Sequence, residues 1–281
     1  MSLHVPYRYI QLVVNMILAS EFPLKNVSVV LTRAQEQQSA AKDLFAKHGA
    51  KVIDLPSLVI GPPNDWAPLD QALKEWKTFD WIIFSSSNGI NSVESRLHFV
   101  QQTLASRPKN LKIAAVGRKT ANHLIKLGVA PDFVPPQFHA DSLIQNFPEF
   151  VPGIKMLIPR VQTGGRPILA KFFIEKGVEV VEIPAYESYC PNSIPNQTIL
   201  ALTNNQVDVI AFTSGKTVVN TVQLLNKYFA DNWQSILSNI KIISIGPQTS
   251  KKCKEILGRV NKEAESHDIE GLVQACIDLI A

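Results

Sequence analysis

The sequence predicts an α/β protein made of two similar parallel-sheet domains, and three observations predict it. First, the chain repeats itself at a nearly constant spacing. Trp81-Ile82-Ile83-Phe84-Ser85-Ser86 is echoed 128 positions later by Val209-Ile210-Ala211-Phe212-Thr213-Ser214. Residues 113–121 return 129 positions on as 242–250, Leu31-Thr32-Arg33 returns 127 positions on as Ile158-Pro159-Arg160, and residues 49–56 return 128 positions on as 177–184. Second, short β-rich apolar runs alternate with helical patterns. Third, those runs are nearly continuous in apolar character, as in strands covered on both faces.

The elements follow in order. Residues 27–31 read as a buried strand. A helix follows over 34–48, with Ala40, Ala41, Leu44 and Phe45 on one face and Gly49 beyond its end. Residues 52–55 form the next strand and 69–76 a short helix. The segment 81–84 is a strand, 88–97 a helix, 113–116 a strand and 119–127 a helix stopped by Gly128. In the second pass 156–158 is a strand, and 168–176 a helix with Pro167 near its first turn and Gly177 after it. Strands at 178–183, 209–212 and 240–245 complete the set. The last leads into a helix that turns Cys253, Ile256 and Leu257 inward and stops at Gly258. Each of these four glycines stands where a left-handed residue closes a helix.

Two proline-bracketed stretches, 56–63 and 184–191, follow the same repeated element. They read as crossings between domains, able to pair as extended strands. One domain is then the continuous stretch 63–183. The other joins 26–56 to 191–281, with 57–62 and 184–190 as linkers and 1–25 as an N-terminal extension. The duplication is equally compatible with two sequential halves. Two units imply a cleft, a preferred place for a small-molecule site.

Composition bounds the function. The 281 residues are 46% hydrophobic and 19% charged, which suits packed cores rather than disorder. A net charge of +4 suits an anionic small molecule, and no Lys/Arg block argues for nucleic acid. Cys190, Cys253 and Cys276 lie far apart, without metal spacing, as expected of small buried hydrophobes in a reducing cytosol. The apolar run at 10–18 is too short to span a membrane and is interrupted by Gln11 and Asn15. It makes a poor signal peptide, and Met16 offers an alternative start. A soluble cytoplasmic protein is expected.

No GxGxxG follows a strand, and there is no GxxxxGK[ST], HExxH or GxSxG. What remains is a repeated hydroxyl-rich strand end. Ser85, Ser86, Ser87 and Asn88 follow one strand; Thr213, Ser214, Gly215 and Lys216 follow its counterpart. Gly117 with Thr120, and Gly246 with Thr249, open the next pair of helices. Helix N-termini with small residues favour an anion, and ligands bind outside the carboxyl ends of parallel strands. Plain N-capping is the bland alternative. Arg33, after Thr32, and Arg160 follow equivalent strands. They read either as carboxylate binders or as surface salt bridges. Tyr186 lies in the second crossing, where a phenol can bond or donate to a leaving hydroxyl, or simply pack. His98, His123, His139 and His267 read as surface or edge residues.

At these residues the chain resembles the uroporphyrinogen-III synthase family. The resemblance is carried by Thr32-Arg33, FSSSNGI at 84–90, AVGRKTA at 115–121, Pro159-Arg160, Tyr186, FTSGKTV at 212–218, SIGPQTS at 244–250 and Ile269-Glu270-Gly271-Leu272. It spans about 27–281 and lies in the order and spacing of short motifs. It implies two flavodoxin-like α/β domains, one discontinuous, joined by a two-stranded linker. It implies a lyase that cyclises the linear tetrapyrrole hydroxymethylbilane to uroporphyrinogen III, losing water and inverting the last ring. No cofactor or metal is implied. The expected partners are the substrate and, transiently, hydroxymethylbilane synthase; nucleic acid and membrane are not expected, and the chain should be a monomer. Carried over by motif, Thr120 and Ser214 bind substrate and Tyr186 assists departure of the hydroxyl. The chain departs from the family pattern at Val161, where Gly is frequent, and at Ser266-His267-Asp268, where Pro-Thr is common.

Two rivals use the same loops. A non-catalytic binder of an anionic small molecule would carry a convincing export signal. A phosphosugar isomerase would need a placed Glu or His base.

Overall fold

The computed structural model describes residues 22–34, 38–137, 139–148, 151, 153–165 and 167–281. The expected extension lies outside them up to residue 21. The strands are β1 (Ser28–Leu31), β2 (Lys51–Asp54), β3 (Val59–Gly61), β4 (Trp81–Phe84), β5 (Lys112–Ala115), β6 (Lys155–Val161), β7 (Glu179–Tyr189), β8 (Val209–Phe212), β9 (Lys241–Ser244) and β10 (Lys262–Glu263). The helices are α1 (Ser39–Lys47), α2 (Ala67–Lys74), α3 (Ser87–His98), α4 (Arg118–Lys126), α5 (Ala140–Asn146), α6 (Ile168–Glu175), α7 (Asn196–Thr203), α8 (Gly215–Phe229), α9 (Trp233–Leu237), α10 (Pro247–Leu257) and α11 (Ile269–Ile280).

The described chain divides into two compact units. One is Ile60–Ser188; the other joins residues up to Val59 with Tyr189–Ala281. The discontinuous unit holds a sheet of order β10-β9-β8-β1-β2, the continuous unit one of order β3-β7-β6-β4-β5. β1 pairs in parallel with β8, Val29 opposite Val209. Sequential halves would instead have set β1 beside β4. The repeat-equivalent strand β6 pairs with β4, Trp81 opposite Met156. The sheets therefore share one order: β9-β8-β1-β2 matches β5-β4-β6-β7. Beyond β9 one sheet adds β10; beyond β5 the other has an isolated parallel bridge from Ala114 to Phe133, and its fifth strand is β3 at the opposite edge.

The central strands show why the apolar runs are continuous. Successive side chains of a strand point to opposite faces. In β4, Ile82 and Phe84 enter one core while Trp81 and Ile83 enter another. In β8, Ile210 and Phe212 enter one core, Val209 and Ala211 the other. All eight are at most 1% exposed. A fully buried large apolar side chain contributes about 1.5–3 kcal/mol, so strands of this kind anchor both units.

Several boundaries differ from the sequence reading. α1 begins at Ser39, with Gln38 before it donating its side-chain amide to the Arg33 carbonyl at 2.8 Å. β7 runs eleven residues without a break through Pro184, so the strand at 178–183 and the crossing after it are one element. α5 and α7 were not anticipated; both are short. Leu24, assigned by sequence to the extension, is fully buried beside Phe45 and Val29. Gly49 has φ +90°, and a Cβ there would stand 2.9 Å from that of Phe22, so both conformation and space require glycine.

Candidate functional site

In parallel sheets the strands all end on one side, so the loops after them gather there. In the continuous unit these are the loops after β4, β5 and β6, with the far part of β7. Ser85 is exposed; Ser86, Ser87 and Asn88 are half-buried at the start of α3. Ser86 caps α3 by accepting the Gly89 N–H at 3.3 Å. Its Oγ also lies 3.0 Å from the Tyr186 hydroxyl. The structure thus brings together the serine loop and the tyrosine, which the sequence places 100 residues apart.

Tyr186 stands half-buried on β7, packed against the core that holds Ile82 and Phe84. The register of β6 on β7 shifts between Arg160 and Val161, which leaves Val161 opposite Tyr186. Such an irregularity re-aims a side chain. The Val161 departure from the family pattern falls at this point. The Tyr186 carbonyl accepts the Gln162 N–H at 2.7 Å. The Gln162 side-chain oxygen in turn accepts the Asn64 N–H at 2.7 Å. Neither Gln162 nor Asn64 was singled out by sequence, where nothing distinguishes them from loop polar residues.

Arg160 lies 3.5 Å from Glu182 on the neighbouring strand. Of its two readings, the salt bridge is the one that the structure contains. Asp54, at the position equivalent to Glu182, pairs instead with Lys42 at 2.5 Å. Gly117 caps α4 with extended backbone and without a side-chain acceptor, and Thr120 is buried on the first turn.

The discontinuous unit repeats the arrangement. Ser214 caps α8, accepting the Thr217 N–H at 3.2 Å; Thr213 and Gly215 are half-buried and Lys216 is exposed. Gly246 caps α10 without a side-chain acceptor, and Thr249 is buried behind it. The His267 ring lies against Gly246, where an added Cβ would be 2.9 Å from Cδ2. Buried Ser244 and Ser250 share a hydrogen bond of 2.6 Å. Arg33 is partly buried, and desolvation pulls its guanidinium below the ordinary arginine value. Thr32 is fully buried, and its hydroxyl donates to the Ala211 carbonyl at 2.8 Å. That side chain ties β1 to β8.

Among the described residues no group of three or more His, Cys, Asp or Glu is placed to hold a metal ion. Among them, too, no helix is long and apolar enough to cross a membrane.

Comparison with known proteins places this geometry. The family model described as uroporphyrinogen-III synthase HemD matches residues 39–274. A uroporphyrinogen-III synthase of Synechococcus elongatus is 42% identical over 256 residues, covering 91% of this chain and 96% of that protein. One of Chlorobaculum parvum is 26% identical over 230 residues, covering 79% and 87%. Among solved structures, the uroporphyrinogen-III synthetase of Helicobacter pylori matches with a TM-score of 0.58 at 17% identity, covering 90% of this chain and 99% of that one. A mutant uroporphyrinogen III synthase of Thermus thermophilus matches with a TM-score of 0.57 at 18% identity, covering 90% and 98%. These two establish the shared α/β fold. With the family model matched from α1 into α11, and a relative 42% identical along nearly its whole length, the chain belongs to the uroporphyrinogen-III synthase family.

Proposed function

We propose that this chain is the lyase that closes hydroxymethylbilane to uroporphyrinogen III, with Tyr186 at the departing hydroxyl. The observation that carries the residue assignment is the Tyr186–Ser86 contact of 3.0 Å at the strand ends of the continuous unit. A phenol half-exposed there can donate a hydrogen bond to the hydroxyl as it leaves as water. The substituted carbon of the last ring then bonds to the azafulvene carbon, giving a spiro intermediate that rearranges with that ring inverted. The overall change is loss of one water, so no oxidant, reductant or cofactor enters. The bilane closes unaided to the uninverted type I isomer. The protein's task is therefore mainly to hold one conformation of a reactive substrate.

The substrate carries a carboxylate on every acetate and propionate arm. α4 and α10 are capped by glycine, which lets a ligand approach the backbone closely. The dipoles of these helices favour a carboxylate near their first turns. Ser85, Ser87, Asn88 and Arg160 at the strand ends of the continuous unit, and Arg33, Thr213, Ser214, Gly215 and Lys216 at those of the discontinuous unit, are further proposed contacts; Thr120 and Thr249 shape the glycine-capped turns. We further propose a cytoplasmic monomer that receives bilane from hydroxymethylbilane synthase in transient contact. The spontaneous closure of free bilane gives such transfer a kinetic reason.

The test supplies porphobilinogen and a hydroxymethylbilane synthase, adds this protein, and resolves the isomers. Excess type III over type I is expected. Type I alone, with folded protein present, overturns the reading and favours a binder. Tyr186→Phe removes one hydrogen bond to the leaving group, so type III turnover should fall about fivefold without being abolished.

A further inference from the structure

We infer that Ser86 is a positioning residue for Tyr186, setting the direction in which the phenol offers its proton. The inference rests on the role of Tyr186 proposed above and deepens it. One oxygen, Ser86 Oγ, meets both the Gly89 N–H at 3.3 Å and the Tyr186 hydroxyl at 3.0 Å. A hydroxyl has one proton and two lone pairs. With one lone pair on Gly89, Ser86 still has its proton to give. When it donates to the phenol oxygen, the phenol proton is directed away from Ser86 and towards a ligand oxygen.

Both partners are held in place. The Tyr186 backbone is fixed by the Gln162 N–H at 2.7 Å and by the register shift opposite it. The first turn of α3 lies close on β6: a Cβ on Gly89 would stand 3.3 Å from the Pro159 carbonyl oxygen. Ser86 is thereby kept within reach of β7.

The repeat separates this role from capping. Ser214 is the equivalent cap and accepts the Thr217 N–H at 3.2 Å. At the spacing of 128, the position equivalent to Tyr186 is Leu58. The discontinuous unit therefore keeps the cap and lacks the phenol. Capping accounts for a serine in both units; it does not account for the second partner of Ser86.

The test is a double-mutant cycle on the full chain, following kcat and KM for type III formation in the coupled assay, with thermal melting alongside. Ser86→Ala should lower kcat about fivefold, as Tyr186→Phe does, the loss of one hydrogen bond. The double variant should be no slower than Tyr186→Phe alone, because the serine acts through the phenol. Ser86→Gly removes the hydroxyl but leaves a tolerable cap. It should melt near wild type and be as slow as Ser86→Ala. Ser86→Thr should restore kcat to within about twofold, its hydroxyl replacing that of serine. Equal losses from Ser86→Ala in the wild-type and Tyr186→Phe backgrounds, or wild-type kcat in Ser86→Gly, overturn the role of Ser86 alone. Wild-type kcat in Tyr186→Phe overturns the role of Tyr186, and this inference with it. Type I alone from the wild-type protein overturns the proposed reaction itself.

Discussion

Cys253 and Cys276 are fully buried, and desolvation of the thiolate pushes each thiol up to about 12 from an ordinary 9.0. Cys190 is half-exposed; burial raises its thiol too, with Lys227 opposing. At pH 8 a thiol titrating near 12 is almost wholly protonated, and the thiolate is the reactive form. Iodoacetamide at pH 8 should therefore label Cys190 first, with Cys253 and Cys276 reacting only after denaturation; peptide mass mapping reads the order. Early labelling of Cys253 would contradict its packing. The sign of the pH effect follows. A neutral form favoured by folding stabilises below the unfolded value of 9.0, and that contribution is lost as pH rises towards about 12. With respect to these thiols, the urea midpoint should be flat between pH 6 and 8 and fall above pH 9.

The helices explain a motif that the sequence could only match. In Ile269-Glu270-Gly271-Leu272, Gly271 lies on the first turn of α11, its N–H donating to the Asp268 cap at 2.8 Å. A Cβ on Gly271 would lie 2.0 Å from the Ser266 backbone carbonyl oxygen, a contact no rotamer relieves. Gly271→Ala should destabilise the fold by about 2–3 kcal/mol, seen as a lower urea midpoint with an unchanged slope. An unchanged midpoint would mean that the loop before α11 yields easily. Strands were legible from sequence because burial on both faces writes an unbroken apolar run, as in Trp81–Phe84 and Val209–Phe212. The full length of β7 was not, since Pro184 ordinarily ends a ladder. α5 and α7 carry seven and eight residues, too few for a helical period to stand out.

Across the molecule, duplication made the candidate site half legible. It marked the strand ends at Ser86, Gly117, Ser214 and Gly246, because equivalent loops recur in equivalent places. It could not show that Arg160 pairs with Glu182, that Thr32 is buried, or that Ser86 meets Tyr186, since each depends on strands brought side by side by the sheet. The charge balance leads to a final prediction. The chain carries a net charge of only +4, and the proposed carboxylate seats are mainly helix ends and hydroxyls, with Arg33, Arg160 and Lys216 as the only cations among them. These act over short range, whereas the Debye length shrinks from about 10 Å at 0.1 M salt to about 3 Å at 1 M. Salt should therefore weaken capture of the polyanion modestly, raising KM about twofold to fivefold over that range and leaving kcat in place. Bilane that escapes capture closes to type I. At low protein concentration the type I share should thus rise with salt, and added protein should restore type III at the same salt. A fall in kcat with an unchanged isomer ratio would place the action of salt on the chemical step instead, and would remove helix-end capture from the account of substrate binding.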